Sequence, residues 1–341
     1  MRVLITGHLG YIGTVMTPMV QAAGHEVAGL DNDMYRRCTF GGGLADVPTI
    51  RKDLRDVTVD DLRGCDAVCH LAGLSNDPLG DLNPGLTYEI NHRASVRLAE
   101  MARDAGVQRF IFSSSCSNYG AAGDDFLTEE SAFNPVTPYG ESKVMVERDV
   151  SQMADDRFSP TFLRNATAYG LSPRIRFDLV LNNLTAWACT TGKIMMKSDG
   201  TPWRPIVHIA DIARAFIAVL DAPREKIHNE AFNVGVTQEN HRVRDIAAMV
   251  GQVVPDCEVS FAQGASPDKR NYRVNCDKLA RVLPAFQPQW TARKGVEEVY
   301  EACRRHGLTL EQFEGPMYQR IAHVRKLIAE GKLDENLRVR D

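Results

Sequence analysis

The 341-residue sequence predicts an α/β fold, a doubly wound parallel sheet carrying a smaller C-terminal α/β lobe. Three observations lead there. Short β-rich runs alternate with longer amphipathic segments over roughly the first 165 residues. Three glycines, each three residues after the last, sit where the first β-rich run gives way to the first amphipathic segment. Beyond about residue 170 the alternation becomes less regular, which reads as a second lobe.

Each element follows from its local pattern. The expected strands are Val3–Thr6, Val27–Leu30, Ala67–Leu71, Phe110–Ser113 and Pro160–Leu163, and the expected helices lie near residues 11–23, 85–105 and 138–154. Repeated strand–helix alternation gives a parallel sheet covered on both faces. Further on, a helix is expected over Phe177–Cys189, a strand near Val207, a helix over Ala210–Leu220 and a strand at Phe232–Val234. A helix near 243–252, a strand around 257–261 and helices after 292 follow. The chain from Leu308 reads as helical and then polar, and the tail "GKLDENLRVRD" is expected to be partly disordered.

Composition excludes several classes. With 44% hydrophobic and 25% charged residues the chain can build a full core. Its 40 basic and 44 acidic residues leave a net charge of −4, so nothing in the charge balance calls for nucleic acid or an anionic membrane. Strand-like sequence begins at residue 2, and no apolar run approaches the ~18 residues of a membrane span. Neither a leader nor a span is expected. The eight cysteines are scattered, and Cys65 and Cys69 lack a second metal-like pair. They read as reduced thiols with no metal bound, and the expected compartment is the cytosol.

The glycine run is "TGHLGYIG", residues 6–13. Gly7 allows the tight strand-to-helix turn, Gly10 lets backbone approach a pyrophosphate, and Gly13 lets the helix pack closely on the sheet. The helix N-terminus then offers N–H groups to phosphates. Asp31 ends the second strand, 18 residues beyond Gly13. A carboxylate there accepts hydrogen bonds from ribose hydroxyls and repels a 2′-phosphate, which favours NAD over NADP. Nearby Arg36 and Arg37 read as solvated surface charge or as a feature pointing the other way. Asp53 and Leu54, after a third strand-like run, are candidates to flank the adenine, and Leu9, Tyr11, Ile12 and Asn32 belong to the same candidate site.

Two later stretches carry proton chemistry. "RFIFSSSCSNYG" is a buried-looking strand ending in Ser113, Ser114 and Ser115. "TPYGESKVMVE" places Tyr139 and Lys143 four apart, on one helical face. An isolated tyrosine, with a pKa of about 10, is a poor base. A neighbouring ammonium favours the phenolate, and a serine hydroxyl can hold the same substrate oxygen.

The chain resembles the extended short-chain dehydrogenases/reductases of the NAD-dependent epimerase/dehydratase family, which act on nucleotide sugars. The similarity runs from residue 1 to about 300. It rests on "TGHLGYIG", "GLDN", "CHLAG", "FSSSCSNYG", "PYGESK", "LRNATAYG", "VLNNL", "WRPIVHIAD", "FNVG" and "RNYRVNCDKL". The resemblance implies an NAD-binding Rossmann domain over 1–170 with returning segments near 205–235, a substrate lobe over 171–204 and 236–307, and a C-terminal helical extension over 308–341. It implies Tyr139 as acid/base, Lys143 as its positioning partner at the nicotinamide ribose, and Ser115 as the group that orients the sugar hydroxyl. His70, Leu71, Ala72 and Gly73 would line the cofactor together with Ser113, and Asn91 would support the central helix. On the substrate side it points to Asn183, Arg204 and Arg270 near the phosphates. Thr167 stands where the family often has Asn. The "SNDP" loop, with Ser75 and Asn76, reads either as a sugar-facing loop or as an ordinary turn. His208 and Trp203 read as packing residues. A homodimer through the helices around 91–105 and 138–154 is also implied.

The residues after the catalytic serine separate the reactions within the family. The 4,6-dehydratases have Asp-Glu there and the uronate decarboxylases a Glu in the second position; this chain has Cys116 and Ser117. Serine cannot serve as a carboxylate base, so the expected reaction is C4 epimerisation through a 4-keto sugar. Dehydration or keto reduction of the same substrates, and an NAD-binding regulatory scaffold, remain the alternatives. Related 3,5-epimerases use a cysteine as acid/base one position nearer the following tyrosine, so Cys116 reads either as a substrate-contacting, catalytic thiolate or as a packed, inert thiol.

Overall fold

In the computed structural model the described residues are 1–75, 83–196, 198–261 and 271–340, with backbone alone for 121–124. Seven strands form one sheet: β1 (Arg2–Thr6), β2 (Glu26–Leu30), β3 (Thr49–Ile50), β4 (Ala67–His70), β5 (Arg109–Ser115), β7 (Ser159–Asn165) and β11 (Glu230–Val234). Their order is β3-β2-β1-β4-β5-β7-β11, and every pairing is parallel. This is the Rossmann arrangement. Strand order reverses between β1 and β4, and ligands bind at such a reversal, outside the carboxyl ends of the strands.

Alternation along β1 builds both layers. Val3 and Ile5 point into a core with Met16 and Val20 of α1 (Gly13–Ala22) and with Ile212 and Phe216 of the helix Ile209–Asp221. Leu4 points the other way, to Val68, Phe110, Leu98 and Val146. Strands buried on both faces read as apolar runs, which is why the sheet was visible in sequence. Two helices cover that second face, Ala94–Asp104 and Pro138–Ser151. A turn of π-helix, Tyr88–Arg93, precedes the first.

The second lobe is built around the helices Val180–Thr191, Val243–Val253 and Ala292–Arg305, which share a core with Ile194, Met196 and Ile206. Its strands are short: β8 (Thr167–Tyr169), β9 (Lys193–Met196), β10 (Trp203–His208), β12 (Asn240–Arg242) and β13 (Glu258–Phe261). The expected helix over Phe177–Cys189 starts three residues later, at Val180; Phe177 instead packs in an aromatic cluster with Phe40, Phe313 and Tyr318.

The tail departs most from expectation. The helix Arg320–Ala329 is followed by an antiparallel bridge between Leu333 and Val339. Leu333 and Leu337 are buried against Leu74, Leu86, Ile90, Val324 and Leu327. The polar tail pattern contains just enough apolar side chain to anchor it, but the pocket that receives it is built by residues about 250 positions earlier. No local pattern shows that.

Candidate active site

One cavity of about 470 Å³ opens at the carboxyl ends of the central strands. The glycine run forms its floor. Gly7 has φ +74°, and a Cβ there would lie 2.8 Å from the Ala72 nitrogen. A Cβ on Gly13 would lie 2.3 Å from the Gly7 carbonyl oxygen. Neither position tolerates a side chain without moving backbone. No side chain caps the N-terminus of α1 and no acidic residue sits in its first turn; Tyr11, Ile12 and Gly13 at this end line the cavity, while the N–H groups of Thr14, Val15 and Met16 donate to the Gly10 and Ile12 carbonyls. Asp31 lines the same space; its carboxylate accepts from the N–H of Leu9 (3.0 Å) and of Asp33 (2.8 Å). Burial pushes this carboxyl above the usual carboxylate range. Asn32, Asp53, Leu54, Leu71, Ala72 and Gly73 line the wall beyond it, as do Leu9, Gly10, Tyr11 and Ile12. Arg36 and Arg37 are exposed, and Arg37 pairs with Glu330 at 2.9 Å, away from the cavity.

The proton-transfer candidates line the same cavity. Thr137 caps the helix Pro138–Ser151, and Pro138 at its first position fixes the entry. Tyr139 and Lys143 both line the cavity, with the Lys143 Nζ 5.7 Å from the centre of the Tyr139 ring. Nζ donates to the Ser113 carbonyl at 2.7 Å. Burial pushes the lysine down to about 7, against the pull of Glu147. Ser115 ends β5 and accepts from the N–H of Ser117 at 3.1 Å; its hydroxyl also meets the Ser117 hydroxyl at 3.1 Å. Asn165 donates to the Ser113 hydroxyl at 3.0 Å. Beneath them Glu147 receives a two-toothed guanidinium from Arg164, an Nδ2–H from Asn118 at 2.9 Å, and the hydroxyl of Ser114.

Lys143 gives a pH-dependent stability. The folded chain holds it neutral above about 7, whereas the unfolded chain protonates it up to about 10.5. Stability therefore falls as pH drops from 10.5 towards 7, and the penalty is complete below. In urea unfolding of cofactor-stripped protein, the advantage of Lys143→Met over the parent should shrink by up to about 1.4 kcal/mol per pH unit as pH rises between those limits. A difference that ignores pH would contradict it.

On the substrate side Ser75, Ser117, Thr167, Asn183 and Arg204 all line the cavity. The Asn183 amide donates to the Phe177 carbonyl at 2.7 Å. Asn76 and Arg270 lie outside the described residues.

Two expectations need correction. Cys116 does not line the cavity. Its thiol turns inward, donates to the Arg164 carbonyl at 3.2 Å and packs with Tyr119, Tyr272, Val274 and Cys276, where burial pushes it far up. His70 does not line the cavity either. Its ring lies within the sheet layer, sharing hydrogen bonds with Thr6 (2.6 Å) and Ser95 (2.7 Å), and burial pushes it down to about 3. Asn91 clasps the Leu74 backbone at both ends, N–H (2.7 Å) and C=O (2.9 Å), and so fixes the loop after β4. His208 packs as expected, stacked on Trp290 at 3.8 Å and paired with Glu298 at 2.9 Å.

Sequence reading missed Arg176, Asp178, Tyr35, Arg320 and Leu337, all on the cavity wall. Arg176 donates to Asp178 through Nε and Nη2, and to the Ser75 carbonyl and hydroxyl through Nη1. Charged residues inside the apolar stretch "RIRFDLVL" were the available signal. Arg320 and Leu337 carried none.

Residues 3–235 match the model of the NAD dependent epimerase/dehydratase family. The chain belongs to that family. A UDP-glucose 4-epimerase of Neisseria meningitidis serogroup C is 31% identical over 69% of this chain and 77% of its own. The UDP-glucose 4-epimerase of Bacillus subtilis is 27% identical over 88% of this chain and 94% of its own. Among solved structures, MoeE5 in complex with UDP-glucuronic acid and NAD superposes with a TM-score of 0.77 at 26% identity, covering 89% of this chain and 99% of that one. This family member is an enzyme and its cofactor is NAD. The cavity fits the dinucleotide. The glycine floor admits close approach of a diphosphate, the end of α1 at the cavity carries no side-chain cap and no first-turn acid, and the Asp31 carboxylate lines the same cavity.

Among the described residues, no helix is long and apolar enough to cross a membrane, and no group of three or more His, Cys, Asp or Glu is placed to hold a metal ion.

Proposed function

We propose that the protein is an NAD-dependent nucleotide-sugar epimerase that inverts C4 through a transient 4-keto sugar. The observation that carries this reading is the composition of the wall around Tyr139. Ser115, Ser117, Tyr139 and Lys143 face one space, and among the described residues every carboxylate on that cavity is committed elsewhere. Asp31 accepts from two backbone N–H groups, Asp53 pairs with Arg55 at 2.8 Å and Asp178 pairs with Arg176 at 2.7 Å. Elimination across C5 and C6 needs a carboxylate base; oxidation and re-reduction at C4 does not.

NAD, when bound, supplies the hydride acceptor and donor. Tyr139 Oη takes the proton of the C4 hydroxyl as that carbon is oxidised and returns it after the keto sugar has turned over. In its ammonium form Lys143 favours the phenolate, and is favoured in that form in turn by a phenolate beside it. Its bond to the Ser113 carbonyl ties the helix face to β5. Ser115 holds the sugar oxygen. Thr167, Asn183 and Arg204, with Arg270 by resemblance and Ser75 and Asn76 by their sequence position after β4, contact the nucleotide sugar.

The relatives named above make UDP-glucose the first substrate to try. The C4 epimer should accumulate to equilibrium without net reduction of NAD. A keto or 6-deoxy product with no C4 epimer would replace this reading by the dehydratase one. A homodimer through the helices 94–104 and 138–151 and a cytosolic location complete the proposal, supported by the resemblance and by the eight free thiols. Sedimentation showing only monomer at micromolar concentration would contradict the first.

A further inference from the structure

The C-terminal segment brings a cation into the cofactor cavity. Arg320 is 4% exposed, yet it lines the same cavity as Gly7, Asp31 and Tyr139. Its guanidinium lies 4.3 Å from the centre of the Tyr35 ring, and Nη2 donates to the Arg174 carbonyl at 2.8 Å. Nη1 meets no oxygen or nitrogen acceptor among the described residues; the Cys38 thiol lies beside it. Its neighbours differ. Arg174 is paired with Asp33 at 3.2 Å and Arg176 with Asp178 at 2.7 Å, whereas Arg320 faces no carboxylate among the described residues. A buried guanidinium without counter-charge is strongly unfavourable, and the unfavourable term vanishes when an anion occupies the space it faces.

A second observation comes from the same segment. Leu337 holds a left-handed backbone, φ 57°, and lines the cavity while packing against Leu74 and Ile90. A non-glycine residue keeps that conformation only where its surroundings demand it. The preceding Asn336 carbonyl accepts from Arg55 Nη1 at 3.0 Å, and Arg338 pairs with Asp56. Arg55 follows directly on Asp53 and Leu54, at the end of the cavity expected to take the adenosine.

We infer that Arg320 is the counter-charge for the diphosphate of bound NAD, and that the stretch from Arg320 to Leu337 closes over the dinucleotide and slows its release. This contribution lies outside the matched family region, which ends at residue 235. A nucleotide sugar carries a diphosphate too. Tyr35, four residues after Asp31, and the Arg55 contact favour the dinucleotide.

The test compares the full-length holoprotein with Arg320→Gln and Arg320→Lys. Isotope-labelled NAD is loaded and chased with excess unlabelled NAD. Release from the Gln variant should be roughly tenfold faster or more, with Lys intermediate, because a charge-assisted contact is lost on the dissociation side. Melting provides a readout that separates this from packing. Cofactor-stripped Gln variant should melt no lower than stripped parent, and NAD-saturated variant should melt below NAD-saturated parent. Equal lowering in both states would reduce Arg320 to a partner of Tyr35 and overturn the inference. So would unchanged NAD release with weakened UDP binding, which assigns the arginine to the sugar nucleotide instead. Should the Gln variant not fold, the Lys variant is read by the same two measurements, and parent-like release from it would overturn the inference.

Discussion

Tyr139→Phe should lower kcat by about 10²–10⁴-fold while the protein keeps its NAD. The substitution removes one oxygen and leaves the ring. The Lys143 bond to the Ser113 carbonyl, at 2.7 Å, does not involve the phenol, so the wall around position 139 keeps its shape. A proton carrier that acts in the reaction itself shows its loss in kcat far more than in KM. Product formation from UDP-glucose, measured beside the NAD content of the same preparation, checks both halves. Activity within about tenfold of the parent would remove Tyr139 from the acid/base role.

Glu147→Ala should cost about 3–5 kcal/mol of folding stability, a large share of the 5–15 kcal/mol a domain has. Glu147 and Arg164 are both almost fully buried and 2.8 Å apart. Removing the carboxylate strands the guanidinium, deprives Ser114 of its acceptor and leaves Asn118 only the Ser114 hydroxyl. The double variant Glu147→Ala/Arg164→Met should recover part of the loss, since no lone charge remains inside. Urea midpoints of the two single variants and the double variant decide it. A single-variant loss under about 1 kcal/mol would mean that the network is not structural. Ser114 directly precedes Ser115, so the same change should also disorder a serine that lines the cavity with Tyr139.

The parts of this molecule legible in the sequence are those whose reasons are local. β1, β4 and β5 are buried on both faces, so they read as apolar runs. The glycine run and the Tyr139–Lys143 pair are set by spacing within one turn or one helix. What escaped the sequence depends on distant partners. β8 and β12, three residues each, exist as strands because they pair with the two sides of β10. Cys116 and Ser117 are adjacent, yet one faces the cavity and the other a satellite core, a choice made by the 3₁₀ turn Cys116–Tyr119 that Ser115 caps. Tail residues such as Leu337 gain their place from a pocket formed in the first third of the chain.

The glycine-rich loop is also fastened to the crossing segment that leads into the second lobe. Tyr11 donates its hydroxyl to the Gly170 carbonyl at 2.8 Å, Ser172 donates to the Tyr11 carbonyl at 2.8 Å, and Arg174 donates to the Leu9 carbonyl at 3.3 Å. The glycine-rich loop and the segment 170–176 therefore form one mechanical unit. Emptying one side of it should slacken the other, and amide exchange across 170–176 should quicken whenever the dinucleotide leaves.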